Sequence, residues 1–210
     1  MTSSKNVRAV VAQKLAWFQR GNANRVRAEL AILRRGMGKN MDEAPETWRV
    51  VLALLPEDMM GKSQFISPAE SAVFNALTLF AMTMSGKDIR NNSTHQAGKS
   101  LGAAAAEFTI QTEGLDEEGK SRILPRLRRL IAADSVEEAA VPLRNVVQLL
   151  NQKSIGMDFA LLAQDLCFYS TPNGRAGVRL NWARDYYSRM NREETARRQQ
   201  TATAGKAKSK

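Results

Sequence analysis

Histidine and cysteine each occur once in the 210 residues, as His95 and Cys167. Their scarcity excludes an internal disulfide, a His- or Cys-rich metal cluster and a His–His acid–base pair. A Cys167–His95 thiol–base couple is available by residue type. However, Cys167 sits in the apolar run LLAQDLCFY, where it reads as a small buried hydrophobe. Apolar runs are short, and none approaches the ~18 uninterrupted residues that a membrane span needs. The first residues, MTSSKNVRAVVAQKLAWF, lack the long apolar stretch and small-residue cleavage site of a secretory signal and read better as a first helix. With a single cysteine, the expectation is a cytoplasmic protein. Chemistry is equally sparse. The GKS at residues 98–100 lacks the glycine that a phosphate-binding loop would place at Ser93. Asp134, Asp158, Asp165 and Asp185 fall on caps and helix faces without metal-ligand spacing, and Asp116-Glu117-Glu118 reads as a solvated turn. The sequence therefore predicts no enzyme, no cofactor and no metal site.

Proline and aromatics are also few, 6 prolines and 6% aromatic residues, while alanine and leucine abound and β-branched runs are rare. This composition favours helix. Helical spacing of apolar residues runs from Val7 to Phe18, with Asn22 or Asn24 able to cap a second helix carrying Val26, Leu30 and Leu33 inward. Pro45 suits the first turn of a third helix. Ser67-Pro68-Ala69-Glu70 is a capping box with proline at the first helical position, opening a helix apolar on most sides. Ser100, Ser135 and Asp158 mark later helix starts, and Pro142 is a candidate kink. No alternating strand pattern or internal repeat is present. The predicted fold is all-α: a helical bundle over 1–86, a polar linker loop over 87–99, a second bundle over 100–190, and a disordered basic tail over 191–210.

Charge is distributed unevenly within the net +10. Residues 1–40 carry nine Lys/Arg against one acid, residues 191–210 six against two, and the body between them is close to neutral. Phosphate backbones attract such basic regions without sequence readout. Two helical stripes concentrate the cations. Arg27 and Arg34 lie seven apart on one face with Arg35 beside them, and Arg122, Arg126 and Arg129 follow at i, i+4 and i+7. Like charges at these spacings repel, so an external anion relieves a cost of a few tenths of a kcal/mol. A solvated face paired with carboxylates of neighbouring helices is the plain alternative for either stripe alone. Two stripes on a basic chain without catalytic residues favour a nucleic-acid backbone surface. Aromatics do not interleave with these arginines, which argues against sequence readout or a base-stacking platform.

The segments GKSLGAAAAEF, RLRRLIAAD, PLRNVVQLL, MDFALLAQDLCFY and VRLNWARDYYSRM occur in the order seen in the CasB family, the small subunit of the type I-E CRISPR surveillance complex Cascade. An L-R-R at Leu33-Arg34-Arg35 and a proline followed by Trp48-Arg49 extend the similarity, which spans about residues 14–190. The chain thus resembles that family. The resemblance implies a non-enzymatic all-α subunit, usually present with a second copy of itself, that contacts the backbone and large subunits around a guide RNA. Its basic surface would hold target and displaced DNA strands and so stabilise the R-loop, cleavage being left to a separate nuclease-helicase. Arg34 and Arg35 match the family's N-terminal arginine pair. Arg126 matches the arginine four residues before its L-I-x-A-D segment, and Arg144 that of its L-R-x-x-x-x-L-L helix. Lys99 lies in the G-x-S-L-G turn. Asn145 and Ala132 depart from the pattern, standing where a second arginine can occur. Two other classes stay open: a helical DNA-binding transcriptional regulator, for which the basic helix lacks Asn or Gln at exposed positions, and a scaffold whose arginines bind acidic proteins.

Overall fold

The computed structural model describes residues 2–112 and 121–208. The Asp116-Glu117-Glu118 turn lies outside them. Nine α-helices follow in chain order among the described residues: α1 (Thr2–Arg20), α2 (Ala23–Arg35), α3 (Pro45–Val51), α4 (Pro68–Thr83), α5 (Leu101–Thr112), α6 (Leu124–Ala132), α7 (Val136–Gln152), α8 (Phe159–Tyr169) and α9 (Pro172–Lys208). No strand occurs among these residues, and no described helix is long and apolar enough to cross a membrane. The all-α expectation holds.

The helices begin where side chains can satisfy their unpaired N–H groups. The Asn22 side chain accepts from the N–H groups of Asn24 and Arg25, 3.0 and 3.2 Å away. At α4 the capping box is complete: Ser67 Oγ accepts from the Glu70 N–H at 3.1 Å, and the Glu70 carboxylate accepts from the Ser67 N–H at 2.6 Å. Ser135 caps α7 in the same way, but there the Glu138 carboxylate reaches back to the Asp134 N–H instead. Pro142 removes one backbone donor and leaves α7 uninterrupted.

Helix α4 is apolar on nearly all sides and buried along most of its length. Phe80, from this helix, stacks on Phe18 of α1 with centroids 6.0 Å apart and meets Phe159 of α8 edge-on at 5.3 Å. α1 and α4, from before residues 87–99, therefore share one apolar cluster with α8 from after it. Packing runs across the expected boundary. Farther along the chain α6 and α7 pair as a short-linked hairpin, and α5 lies against α9. Tyr169 of α8 stacks on Trp182 of α9 at 5.9 Å and donates its hydroxyl to the Ala133 carbonyl, closing the end of α6.

Two expectations need correction. Residues 87–99, expected as a polar linker loop, pack partly into the core: Ile89 and Thr94 are buried, and Gln96 N–H and Thr94 C=O pair with Met157 at 2.9 and 3.0 Å. Asp158 adds a bond from the Gly98 N–H at 2.8 Å, since a backbone lying against a core must find partners there. Residues 191–208, expected as a disordered tail, prolong α9 as helix. Glu193–Arg197 and Glu194–Arg198 pairs at i, i+4 support that extension by a few tenths of a kcal/mol each.

Candidate nucleic-acid interface

Many of the cations are occupied within the fold. Lys14 and Arg25 share the buried carboxylate of Glu29 while lying over the Trp17 ring. Arg8 pairs with Asp158 at 3.1 Å. Arg175 and Arg179 hold Asp134 at 3.3 and 3.0 Å, and these guanidinium groups keep its carboxyl below the usual carboxylate range. Lys99, a sequence candidate, is half-buried and sits 2.7 Å from Glu107, which also takes Arg189 at 2.9 Å. Lys99 is thus part of the α5–α9 contact.

Arg27 and Arg34 behave differently. Val26, Leu30 and Leu33 turn inward from α2, leaving Arg27 exposed and Arg34 half-buried. Both line a groove between α2 and residues 84–90, a cavity of about 420 Å³. Lys87 and Arg90 face the same cavity. Arg90 is braced by donating to the Gly21 carbonyl at 3.1 Å. Lys87 donates to the Asn151 side-chain oxygen at 2.6 Å, and burial pushes its ammonium below the ordinary lysine range. The groove's one acid, Asp88, accepts from the Asn91 amide and the Arg90 N–H. Four cations therefore surround a cavity whose single carboxylate is already engaged.

Arg144 of α7 stands seven residues before Asn151, the partner of Lys87, and so on the same side of that helix. Its guanidinium lies against Gly38, just past α2, where a Cβ would come within 2.5 Å of Nη1 and where φ is +82°. The positive φ is what asks for glycine there, since the guanidinium end of Arg144 can move aside. Arg35 is exposed on the flank nearer Glu46. The second stripe forms a separate patch on and before α6. Arg122 lies over the Phe108 ring at 5.6 Å, Arg126 donates to the Arg122 carbonyl at 2.6 Å, and Arg129 is exposed. Sequence reasoning missed Arg128, exposed beside them, and missed Lys87 and Arg90 altogether. The signal for the latter two was the pair of cations in GKDIR, inside a segment read only as loop.

The lone histidine is structural in its contacts. His95 Nδ1 accepts from the Phe159 N–H at 3.3 Å, and burial pushes its pKa down despite Asp158 at 3.8 Å. Cys167 is half-buried, and burial raises its thiol pKa away from the reactive range. No group of three or more potential metal ligands occurs among the described residues.

Comparison with known proteins places this geometry in context. The family model described as CRISPR-associated protein Cse2 matches residues 29–187. The crystal structure of CasB from Thermobifida fusca is similar at 29% identity and a TM-score of 0.66, over 86% of this chain and 97% of that one. A CRISPR-associated protein of the Cse2 family from Thermus thermophilus is 24% identical over 90% of this chain and 99% of its own, with a TM-score of 0.61. A chain of a CRISPR RNA-guided surveillance complex shares the fold at 22% identity and a TM-score of 0.62, over 93% of this chain and 98% of that one. No curated protein sequence matches. With the family model spanning most of its length, the chain belongs to the Cse2 family of CRISPR-associated proteins.

Proposed function

We propose that this chain is the non-catalytic small subunit of a type I-E Cascade surveillance complex and that it holds nucleic-acid strands by their phosphates. The observation that carries the reading is the groove where Arg27, Arg34, Lys87 and Arg90 converge around one engaged carboxylate. Arg144, on the α7 face that also carries Asn151, is a further phosphate contact in this proposal. In such a complex the guide RNA reads sequence by base pairing. Protein contacts to target and displaced strands tip a near-balanced strand exchange toward the R-loop. Arg35 and the α6 patch of Arg122, Arg126 and Arg129 are further phosphate contacts in this proposal. The backbone and large subunits, the guide RNA and a second copy of the chain are its partners. The engaged His95 and the raised Cys167 pKa support a role without catalysis.

The test is a reconstituted complex carrying Arg27→Ala, Arg34→Ala and Arg90→Ala together. R-loop affinity is expected to fall about tenfold or more near physiological salt, and the slope of log K against log salt to flatten by about 2 to 3, the loss of three phosphate contacts. Unchanged affinity and slope would overturn the assignment. Lys99→Ala supplies the contrast. With its ammonium on Glu107, its removal should leave affinity within about twofold while lowering thermal stability. A binding loss equal to that of the groove variant would return Lys99 to the interface.

A further inference from the structure

We infer that the cleft between α4 and α7 is a protein-docking surface, taking from a different subunit of the assembly a segment that carries apolar anchors beside Arg or Lys. The inference takes from the reading above only that the chain works inside a multi-subunit complex. The cleft, of about 430 Å³, opens where residues 40–42, α4, α7 and the α8–α9 turn meet. Large apolar side chains gather around it. Ile66 lines it and is 41% exposed, and Phe65 beside it is 71% exposed. Val141 is exposed one turn beyond the lining Glu137, on the same side of α7. Trp48, also exposed, donates its indole N–H to the carbonyl of the lining Met41 at 2.7 Å. Four of the six exposed large apolar side chains among the described residues therefore gather at one cleft, where single residues scattered over the surface would need no explanation.

The patch is presented by braced backbone. Before α4, Ser67 Oγ donates to the Met59 carbonyl at 2.6 Å and the Phe65 N–H to the Lys62 carbonyl at 3.3 Å. Phe65 is thus held outward in a set position. An apolar side chain left in water adds little to folding and gains its burial free energy only against a partner. A loop already in its bound shape also lowers the ordering cost of association. Exposed aromatics such as Trp48 and Phe65 belong to the residue types enriched at the centres of protein interfaces.

Charge selects the partner. Asp42 and Glu137 line the cleft from two different elements, and neither carboxylate is engaged by another described residue. Arg175, the one cation in the lining, is occupied by Asp134 at 3.3 Å and by the Tyr169 carbonyl at 3.4 Å. Arg144, farther along α7, lies against Gly38. Residues 41–60 carry five acids against Arg49 alone, in a chain of net +10. Such a surface repels a phosphate backbone, whereas Arg or Lys beside an apolar anchor is attracted by the carboxylates and covers the patch. A second copy of the chain fits poorly. A two-fold pair would set the same acids against each other, and a head-to-tail contact would run on from copy to copy into a filament.

The test uses two double variants of the full chain, Phe65→Ser with Ile66→Ser and Asp42→Lys with Glu137→Lys, each co-expressed with the other subunits and guide RNA. Native mass spectrometry of the purified complex reads how much of the chain each variant retains. Both are expected to lower its occupancy about tenfold or more at equal expression. In isolation each should melt within about 2 °C of the parent, because all four side chains are exposed. Each should also bind oligo-dT as tightly as the parent, or tighter for the lysine variant. Full occupancy with both variants overturns the docking surface while the phosphate reading stands. Occupancy lost together with oligo-dT binding makes the surface a nucleic-acid site and overturns the inference. So does self-association of the isolated parent, read by sedimentation, that the variants abolish, since the contact is then between copies. A parent chain that joins no complex overturns the reading on which the inference rests.

Discussion

Replacing Gly102 by alanine is expected to destabilise the fold by about 3 kcal/mol, lowering Tm by about 6–12 °C in calorimetry or circular dichroism. Alanine is ordinarily the better helix residue by nearly 1 kcal/mol, so intrinsic propensity argues for the opposite sign. Packing decides the matter. A Cβ at Gly102 would fall 2.1 Å from the Trp182 carbonyl oxygen and 3.0 Å from the Trp182 Cα. The obstruction is backbone, which cannot rotate aside as a side chain can, so α5 and α9 would have to separate. That separation would disturb the Thr109–Tyr186 hydroxyl contact at 3.1 Å and the Trp182–Tyr169 stack. Tyr169 in turn donates to the Ala133 carbonyl, which places the end of α6 in the path of the disturbance. Gly177→Ala is the control, because a Cβ there meets nothing within 4 Å and should be neutral or mildly stabilising. A Gly102→Ala protein melting within a degree or two of the parent would show that the two helices tolerate a wider crossing.

This contact also marks where sequence reasoning stops. Helix starts were legible, since Asn22, Ser67 and Asp158 announce themselves through local hydrogen bonding that depends on neighbours two or three residues away. The inward set of α2 was legible from its spacing, and with it the outward placement of Arg27 and the partial exposure of Arg34. Tertiary partners were not. Nothing local joins Phe18 to Phe80 and Phe159, so the packing of α1 on α8 across residues 87–99 had no sequence signal. The candidate groove was half visible for the same reason: Lys87 and Arg90 reach α2 only because their segment folds back against it. Lys99 shows the same limit: nothing beside it in the sequence marks its pairing with Glu107, two helical turns on. The charge excess over residues 1–40 likewise overstated the free basic surface, because Arg8 and Lys14 are neutralised by Asp158 and Glu29.

Asp165→Asn is expected to stabilise the protein by about 2–4 kcal/mol at pH 8 and to have little effect near pH 4. Asp165 of α8 accepts from the Trp182 indole N–H at 2.7 Å in a part-buried contact with α9. Burial pushes its pKa from 3.8 up to about 7, and the charges of Asp185 and Asp158 push the same way, against the Trp182 bond and Arg8. A folded-state pKa above the unfolded one means that the native protein holds the proton more tightly. The resulting stability is present below about pH 4 and is lost as pH rises toward 7, after which the loss levels off. His95 works in the opposite sense. Its lowered pKa removes stability as pH falls below its ordinary value of 6.5, so the parent curve alone blends two slopes. The difference between Asp165→Asn and the parent isolates the carboxylate, because asparagine keeps an oxygen for the Trp182 N–H and His95 is common to both. Denaturant unfolding at steps from pH 4 to pH 8 should show that difference growing up to about pH 7 and then flattening. A difference that is constant across the range, or an asparagine variant weaker than the parent at pH 8, would mean that the carboxylate stays charged and satisfied where it lies.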